Sequence, residues 1–291
     1  MKFNIEKYYS KIPTSQKVYI QDFERTHAEK SLVVRGVPWQ YLDSGGNQQV
    51  LLLLHGGFAD TSMWIHQITT FEKTYRIIAP TCPAWPDAKM KDYSGALRAI
   101  LTAEKIENVY LMGYSEGGLI AQCFLRDHPT LINKVILGHT FYPSPENKYA
   151  QYDFNLFRIL PATLTESIFK WLAKPDKEEI HHSSTEWLAW YQGWFRELKS
   201  KLTKALILTH IDLMMDFVRN YTFNPADLYG WGGKILITVA ADDIVLRYFE
   251  GMKQLYPQAE THVFEAGLGA HSVALITPVV FNQRIGEFLA A

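Results

Sequence analysis

One serine in this sequence stands in a pattern that is typical of a nucleophile. Gly113-Tyr114-Ser115-Glu116-Gly117 has the G-x-S-x-G spacing, between an apolar run and a helical pattern, which is the strand–turn–helix setting that this motif requires. The chain must turn so sharply at the serine that larger residues two positions away would collide with neighbouring backbone, so glycine is needed there. Ser115 is therefore the candidate nucleophile.

An acid and a histidine that could activate Ser115 lie near the end of the chain. A serine hydroxyl needs a base to remove its proton, and the base needs a carboxylate to orient it. Asp242 and Asp243 follow the apolar run at 234–239, and His271 follows a further predicted strand. Loops at the carboxyl ends of strands are able to converge from one side of a parallel sheet. The order serine, aspartate, histidine predicts a catalytic triad.

A second glycine motif, His55-Gly56-Gly57-Phe58, follows the apolar run at 50–54. An enzyme that transfers an acyl group needs two N–H donors aimed at the oxygen that becomes negatively charged. One is predicted from Glu116, the residue after the nucleophile. The other is predicted from Gly57, with Phe58 as the alternative. For His55 we predict a local hydrogen bond that holds the loop, with the chemistry elsewhere.

Short apolar runs alternate with helical patterns along most of the chain, which predicts a mostly parallel sheet with helices on both faces. The first two runs flank Gly36 and predict a hairpin, and the run at 50–54 is apolar throughout, as in a strand buried on both faces. The predicted strands are 31–35, 37–42, 50–54, 76–79, 109–112, 134–137, 234–239 and 261–265. The predicted helices are 61–71, 92–104, 116–128, 246–255 and a closing helix after Pro278.

Residues 142–225 break this alternation, because they are helical in pattern and contain no convincing strand. The clearest helix there carries an aromatic face with helical spacing. We expect most of these rings to pack against the rest of the protein, and part of the face to line a pocket. The face consists of Trp187, Trp190, Tyr191, Trp194, Phe195 and Leu198. The candidate pocket residues are Phe58, Trp187, Trp190 and Trp194.

These motifs resemble the α/β-hydrolase superfamily, and within it the members that carry a cap. The resemblance extends from about residue 31 to 289 and is specific at the HGG loop, the GYSEGG turn and the aspartate–histidine pair. It implies an α/β-hydrolase fold with a mostly parallel central sheet. The expected core comprises residues 1–141 and 226–291, and the expected helical cap comprises residues 142–225.

The resemblance also favours one of the two adjacent acids. Members of the superfamily often carry Gly-x-x-Asp after the penultimate core strand, with Val or Ile shortly afterwards. Ala240-Ala241-Asp242-Asp243-Ile244-Val245 matches that register with alanine in place of glycine, so Asp243 is favoured over Asp242. Some relatives take the acid from the strand before the cap, and the corresponding loop at 138–141 offers none.

The function that the resemblance implies is hydrolysis of a carboxylic ester with an apolar or aromatic group. Ser115 would attack the carbonyl carbon, His271 would take the proton and return it to the leaving alcohol, and Asp243 would hold the imidazole. The N–H groups of Gly57 and Glu116 would bind the oxyanion. No cofactor is implied.

Other functions remain open on the same residues. The triad also supports hydrolysis of C–C bonds, lactones and amides, and perhydrolysis. The paired glycines resemble those of proline iminopeptidases, although Phe58 replaces their usual proline. The segment 80–86 and the early stretch 8–13 are similar to maspardin-like proteins, so a non-catalytic binding protein is the alternative outside the enzymes. Serine at position 115 argues against haloalkane dehalogenases and epoxide hydrolases, which use aspartate there.

Composition excludes several other classes. The 291 residues are 47% hydrophobic and 20% charged, with 29 basic against 30 acidic residues and no basic block, which excludes a nucleic-acid surface. No apolar stretch reaches the length of a membrane helix, and the N-terminus lacks a signal-peptide pattern. Cys82 and Cys123 form no disulfide framework, and the pair His181-His182 has no further ligand pattern for a metal. We predict a cytoplasmic protein that acts on a small molecule without metal or cofactor, with its oligomeric state left open.

Overall fold

Eight strands form one sheet in the part of the chain that the structure, a computed structural model, describes: residues 2–144, 154–172 and 186–291. The strands are β1 (Glu29–Val34), β2 (Val37–Asp43), β3 (Val50–Leu54), β4 (Arg76–Thr81), β5 (Val109–Tyr114), β6 (Ile132–Gly138), β7 (Lys234–Ala240) and β8 (Glu260–Phe264). Their order across the sheet is β1-β2-β4-β3-β5-β6-β7-β8. The pairs β1–β2 and β2–β4 are antiparallel, and the other neighbours are parallel.

Helices cover both faces of this sheet. They are α1 (Ile5–Tyr8), α2 (Thr14–Thr26), α3 (Ile65–Phe71), α4 (Met90–Ala103), α5 (Glu116–Asp127), α6 (Asn155–Ile159), α7 (Ala162–Leu172), α8 (Leu188–Ser200), α9 (Lys204–Asn220), α10 (Phe249–Leu255), α11 (Val273–Ile276) and α12 (Pro278–Ala290). None of the described helices combines the length and the apolar character that crossing a membrane requires.

The side chains of β3 show why a central strand is apolar at every position. Leu52 and Leu54 belong to the core that contains α4 and α5. Leu51 and Leu53 belong to the opposite core, which contains α3 and α12. Because side chains alternate between the two faces of a strand and both faces are buried here, the run is continuous rather than alternating. The predicted parallel sheet with two covered faces is thereby confirmed.

The turn between β1 and β2 explains the predicted hairpin. Val34 pairs with Val37, so Arg35 and Gly36 form the whole loop. Both residues have positive φ, +51° and +82°, as in the type I′ turn whose twist matches that of the flanking strands. The remaining predicted strands are present with ends shifted by a few residues, whereas helices α1 and α2 precede the region for which the sequence predicts elements.

The described residues between β6 and β7 form helices α6 to α9 and no strand. This agrees with the helical pattern of the segment, while the limits 142–225 of a cap stay a prediction. The His181-His182 pair lies outside the described residues. Helix α8 packs closely on the N-terminal segment, because a Cβ on Gly193 would lie 2.7 Å from Cδ1 of Tyr9. The insert is therefore in direct contact with the first residues of the chain.

His66 on α3 is an ionisable group held deep in this region. Its side chain is buried, with ring centroids 4.2 Å from Trp187 and 4.8 Å from Trp190. Its Nδ1 lies 3.4 Å from the Tyr19 hydroxyl, and its Nε2 has no hydrogen-bond partner among the described residues. Burial lowers the pKa of His66 to about 3, since removal from water disfavours the charged imidazolium.

We predict that His66→Phe removes part of the acid sensitivity of the fold. Below about pH 6.5 the unfolded chain binds a proton at this histidine, whereas the folded protein does not until about pH 3. The stability that His66 contributes is present above pH 6.5 and is lost as the pH falls, by about 1.4 kcal/mol per pH unit. Urea unfolding at pH 7.5, 6.0, 5.0 and 4.5 measures the free energy of unfolding of both proteins. The value for the variant minus that for wild type should rise by about 2 to 3 kcal/mol between pH 7.5 and pH 4.5. A difference that stays constant with pH would contradict this assignment.

Candidate active site

The sharp turn after β5 places Ser115 at the carboxyl end of this central strand. Ser115 has φ +54° and ψ −120°, a backbone conformation that is costly for any residue with a side chain. A Cβ on Gly117 would lie 2.2 Å from the carbonyl oxygen of Leu54, and a Cβ on Gly113 would lie 2.3 Å from that of Gly117. Both glycines of the motif are therefore required, because a side chain at either position would collide with a backbone carbonyl oxygen.

Ser115, His271 and Asp243 form one chain of hydrogen bonds. Nε2 of His271 lies 3.0 Å from Oγ of Ser115, and Nδ1 lies 2.9 Å from Oδ1 of Asp243. This arrangement fits an imidazole that donates from Nδ1 to the carboxylate and accepts the serine proton at Nε2. The neighbouring Asp242 instead accepts a hydrogen bond from the N–H of Gly267 at 2.7 Å. Of the two adjacent acids, the structure brings Asp243 to the histidine.

A second histidine, His139, contacts the same carboxylate. It follows β6 with φ +50°, is fully buried, and places Nδ1 2.5 Å from Oδ2 of Asp243. Its ring stacks on Tyr114, with centroids 4.8 Å apart. Burial lowers the pKa of His139, so this residue donates to Asp243 as a neutral imidazole.

Asp243 is held ionised by these donors. Burial acts to raise the pKa of Asp243, but hydrogen bonds from His139 and His271 outweigh it and hold the pKa well below the usual range of an aspartate. The N–H of Val245 donates to Oδ1 as well, at 2.9 Å. His139 is not among the residues predicted from the sequence, where the loop at 138–141 is considered only as a source of an acid. The available signal was a polar residue at the end of the strand next to β7.

The same three side chains bring two imidazoles and a carboxylate within 4.8 Å of one another, and zinc binds ligands of these types. However, Nδ1 of both His139 and His271 is engaged with Asp243. The facing atoms of these three side chains are therefore joined by hydrogen bonds in this structure.

The loop after β3 lies against the nucleophile. A Cβ on Gly56 would be 3.4 Å from Cβ of Ser115. His55 holds this loop, since its Nδ1 lies 2.8 Å from the carbonyl oxygen of Gly56 and its Nε2 accepts the N–H of Cys82 at 2.9 Å. This is the local role expected for His55. Cys82 itself is buried at the end of β4, and burial raises the pKa of its thiol.

The two candidate oxyanion donors in this loop differ in their partners. The N–H of Phe58 donates to Nε2 of His210 at 3.2 Å. Within the described residues, no acceptor receives a hydrogen bond from the N–H of Gly57 or of Glu116. Gly57 also lines the cavity that contains Ser115, whereas Phe58 does not. The geometry therefore favours Gly57 and Glu116 as donors to a bound oxygen.

A cavity of about 450 Å³ opens beside Ser115 and His271. Its wall is mostly apolar, and no Lys, Arg, Asp or Glu contributes to it within the described ranges. One Trp of α8, Trp194, lines it and donates from Nε1 to Oγ of Ser62 at 2.8 Å. The other large apolar or aromatic side chains in the wall are Met63, Tyr114, Tyr191, Phe195, Leu198, Ile244 and Leu275.

The other three predicted pocket residues lie elsewhere. Trp190 is fully buried against His66 on α3, and Trp187 packs on the same histidine and lines a separate cavity of about 630 Å³. The ring of Phe58 packs against His210 at 4.6 Å. Trp187 caps the start of α8 and, with Trp190 in the first turn, faces His66 on α3, whereas Trp194, one turn later, lines the cavity beside Ser115. The helical spacing in the sequence identifies which side chains share a face, but it does not identify the part of the protein against which each of them packs.

Comparison with known proteins gives consistent matches. A sequence model of the alpha/beta hydrolase family matches residues 51–284. A 2-hydroxy-6-oxononadienedioate/2-hydroxy-6-oxononatrienedioate hydrolase of Paraburkholderia phymatum is 25% identical over 279 residues, covering 86% of this chain and 90% of the relative.

Solved structures match the fold. One from a study of carboxylesterases of the thaumarchaeon Nitrososphaera gargenis has a TM-score of 0.71 at 19% identity, covering 90% of this chain and 98% of that one. Carboxylesterase CesB of Bacillus subtilis has a TM-score of 0.64 at 17% identity, covering 94% and 96%. The fold predicted from the sequence motifs is confirmed.

We predict opposite effects of alanine at two glycines. Gly117→Ala should lower the free energy of unfolding by about 3 kcal/mol, because the new Cβ meets backbone that cannot move aside. Gly95→Ala is the matched control, since it lies in α4 with nothing within 4 Å of its Cβ position. There the change should stabilise by about 0.5 to 1 kcal/mol. Chemical denaturation measures both, and equal effects would show that the turn at Ser115 is not constrained by this approach.

Proposed function

The chain belongs to the alpha/beta hydrolase family, and we propose that it is a serine hydrolase whose substrate is a carboxylic ester with an apolar or aromatic group. The observation that carries this proposal is the hydrogen-bonded chain from Ser115 through His271 to Asp243, beside a cavity to whose wall the described residues contribute no Lys, Arg, Asp or Glu. Such a wall binds apolar groups by removing them from water and makes few demands on hydrogen bonding.

The proposed reaction has two halves. Oγ of Ser115 attacks the carbonyl carbon as Nε2 of His271 takes its proton, and the oxyanion accepts hydrogen bonds from Gly57 and Glu116. The C–O bond to the alcohol then breaks, and His271 returns the proton to the leaving oxygen. Water attacks the acyl group with His271 again as the base, which releases the acid and restores the serine. Asp243 holds the imidazole in the required tautomer throughout.

His139 supports this mechanism indirectly. The imidazolium that forms on His271 is stabilised by a carboxylate that stays ionised and correctly turned. His139 donates to Oδ2 of Asp243 while His271 binds Oδ1, so the orientation of the carboxylate is fixed from both sides. His139 is therefore a positioning residue in this proposal.

Hydrolysis of a C–C bond is the second candidate. The Paraburkholderia relative is named for an oxo-dienedioate, and in such a molecule the bond to be hydrolysed joins two carbons. That substrate carries two carboxylates, and a buried carboxylate requires a cationic or strongly hydrogen-bonding partner. Since no Lys or Arg lines the cavity within the described residues, a neutral ester is the better fit. Lactones and amides stay open on the same triad.

The enzymatic proposal predicts a sharp loss of turnover in triad variants. Ser115→Ala, His271→Ala and Asp243→Asn should each lower kcat/KM for a p-nitrophenyl ester by about 10⁴-fold or more, because triad members act as a unit. Asp242→Asn is the matched control and should stay within about threefold of wild type, since its partner is Gly267. A thermal melt verifies the fold of each variant.

Two outcomes would contradict the proposal. Wild-type protein without turnover on esters, lactones, amides or a substrate with a hydrolysable C–C bond would favour a non-catalytic binding protein. A damaging Asp242→Asn beside a mild Asp243→Asn would transfer the role of the acid to the neighbouring residue.

We further predict that Trp194 contributes to substrate choice. Trp194→Ala removes a large ring from the cavity wall. The kcat/KM for an ester of an aromatic acid, divided by that for an acetate ester, should fall by about tenfold, as expected for a changed apolar pocket. Trp187→Ala is the control, because its ring lies outside that wall and should affect stability alone. An unchanged ratio in Trp194→Ala would mean that the acyl or alcohol group binds elsewhere.

A further inference from the structure

His210, on helix α9, joins the two loops that supply the proposed oxyanion donors. Its Nδ1 lies 2.5 Å from Oε1 of Glu116, and its Nε2 lies 3.2 Å from the backbone nitrogen of Phe58. The N–H of Phe58 is able only to donate, so Nε2 is the acceptor and the proton resides on Nδ1. One neutral imidazole thus donates to the residue after the nucleophile and accepts from the loop after β3.

The loop after β3 needs such a contact. Phe58 has φ +61°, a left-handed conformation that persists in a residue with a side chain only where its surroundings enforce it. His210 supplies two of those constraints, the acceptor for the Phe58 N–H and a ring whose centroid lies 4.6 Å from that of Phe58. The N–H of the preceding residue, Gly57, is therefore oriented by a turn that His210 holds.

The carboxylate of Glu116 is placed by the same histidine. A Cβ on Gly57 would lie 3.2 Å from Oε2 of Glu116, so the acidic group rests directly behind the loop. Neither Glu116 nor His210 lines the cavity beside Ser115. A carboxylate beside an oxyanion donor disfavours negative charge on a bound oxygen, and the hydrogen bond from Nδ1 of His210 holds this carboxylate in place and spreads part of its charge.

Helix α9 is also attached to the core at points that do not involve His210. Oγ1 of Thr209 accepts the N–H of Trp85 at 3.0 Å, and Oδ2 of Asp216 accepts the N–H of Met90 at 2.9 Å. The docking of the helix and the contacts of His210 are therefore separable by mutation. Thr209, adjacent in sequence, offers the matched control.

We propose that His210 is a positioning residue that aligns the backbone N–H groups of Gly57 and Glu116 for the transition state. This inference rests on the proposed serine hydrolase activity. It places a determinant of the rate on a helix of the insert between β6 and β7, outside the HGG and GYSEGG motifs. The histidine itself lies outside the wall of the cavity that contains Ser115.

Four measurements on three variants test this proposal. His210→Phe keeps a ring of similar size and removes both hydrogen bonds, His210→Gln places an amide oxygen near the position of Nε2, and Thr209→Val weakens the docking of α9 alone. For each variant we would measure kcat, KM, the melting temperature, and inhibition by a trifluoromethyl ketone, whose serine adduct places an oxyanion between the two N–H groups.

We expect His210→Phe to lower kcat by about tenfold to hundredfold. This loss is smaller than that from complete removal of one oxyanion donor, because the two N–H groups remain but are less well aligned. Its KM should change by less than about threefold, because the ground-state carbonyl depends little on these donors. Binding of the ketone should weaken in proportion to kcat/KM. His210→Gln should recover at least about tenfold of the loss in kcat, while Thr209→Val should lower the melting temperature with kcat nearly unchanged.

The proposal is overturned if His210→Phe leaves kcat and ketone binding at the wild-type values, or if Thr209→Val reproduces its effect. If His210→Phe does not fold, His210→Asn replaces it, since its shorter amide reaches Glu116 but not Phe58, and the same loss of kcat is expected. Wild-type enzyme without activity that depends on Ser115 would instead overturn the proposed function, so the two failures are distinct.

Discussion

The close approach of helix α5 to strand β3 is the constraint on which the rest of the site depends. The Cα of Gly117 lies so near the carbonyl oxygen of Leu54 that no side chain fits between them. The chain is able to pass from β5 into α5 at this distance only through the positive φ of Ser115. The energetic cost of that turn is offset by packing on both faces of the sheet, and its consequence is a serine hydroxyl held clear of the backbone.

The order of the strands accounts for the other members of the site. Strands β3, β5, β6, β7 and β8 are successive neighbours in one parallel sheet, so the loops at their carboxyl ends lie side by side. In that order they carry Gly57, Ser115, His139, Asp243 and His271. His271 and Asp243 follow the adjacent strands β8 and β7, and His271 reaches Ser115. His139 reaches Asp243 from β6, the strand between those of Ser115 and Asp243.

Sequence motifs predict those residues of the site whose identity follows from the local backbone conformation or from the order of the strands. Ser115 and its glycines follow from the tight turn, and Asp243 and His271 follow from their positions after consecutive strands. His139 also follows a strand of this row, so strand order offered a signal for it. The role of His210 could not be predicted in this way, because it depends on how helix α9 packs against loops from other parts of the chain. The aromatic face of α8 shows the same limit, since its spacing predicts burial, whereas α3 and the N-terminal segment decide which tryptophan reaches the cavity.

The central claim is that Ser115 is a nucleophile activated by His271, and covalent capture tests it most directly. Wild-type protein is treated with a fluorophosphonate, and the modified peptide is located by mass spectrometry, with His271→Ala and Ser115→Ala treated in parallel. We expect one phosphonate per chain on the peptide that contains Ser115, much slower modification of His271→Ala, and none of Ser115→Ala. Modification at another residue, or equal rates in all three proteins, would contradict the account.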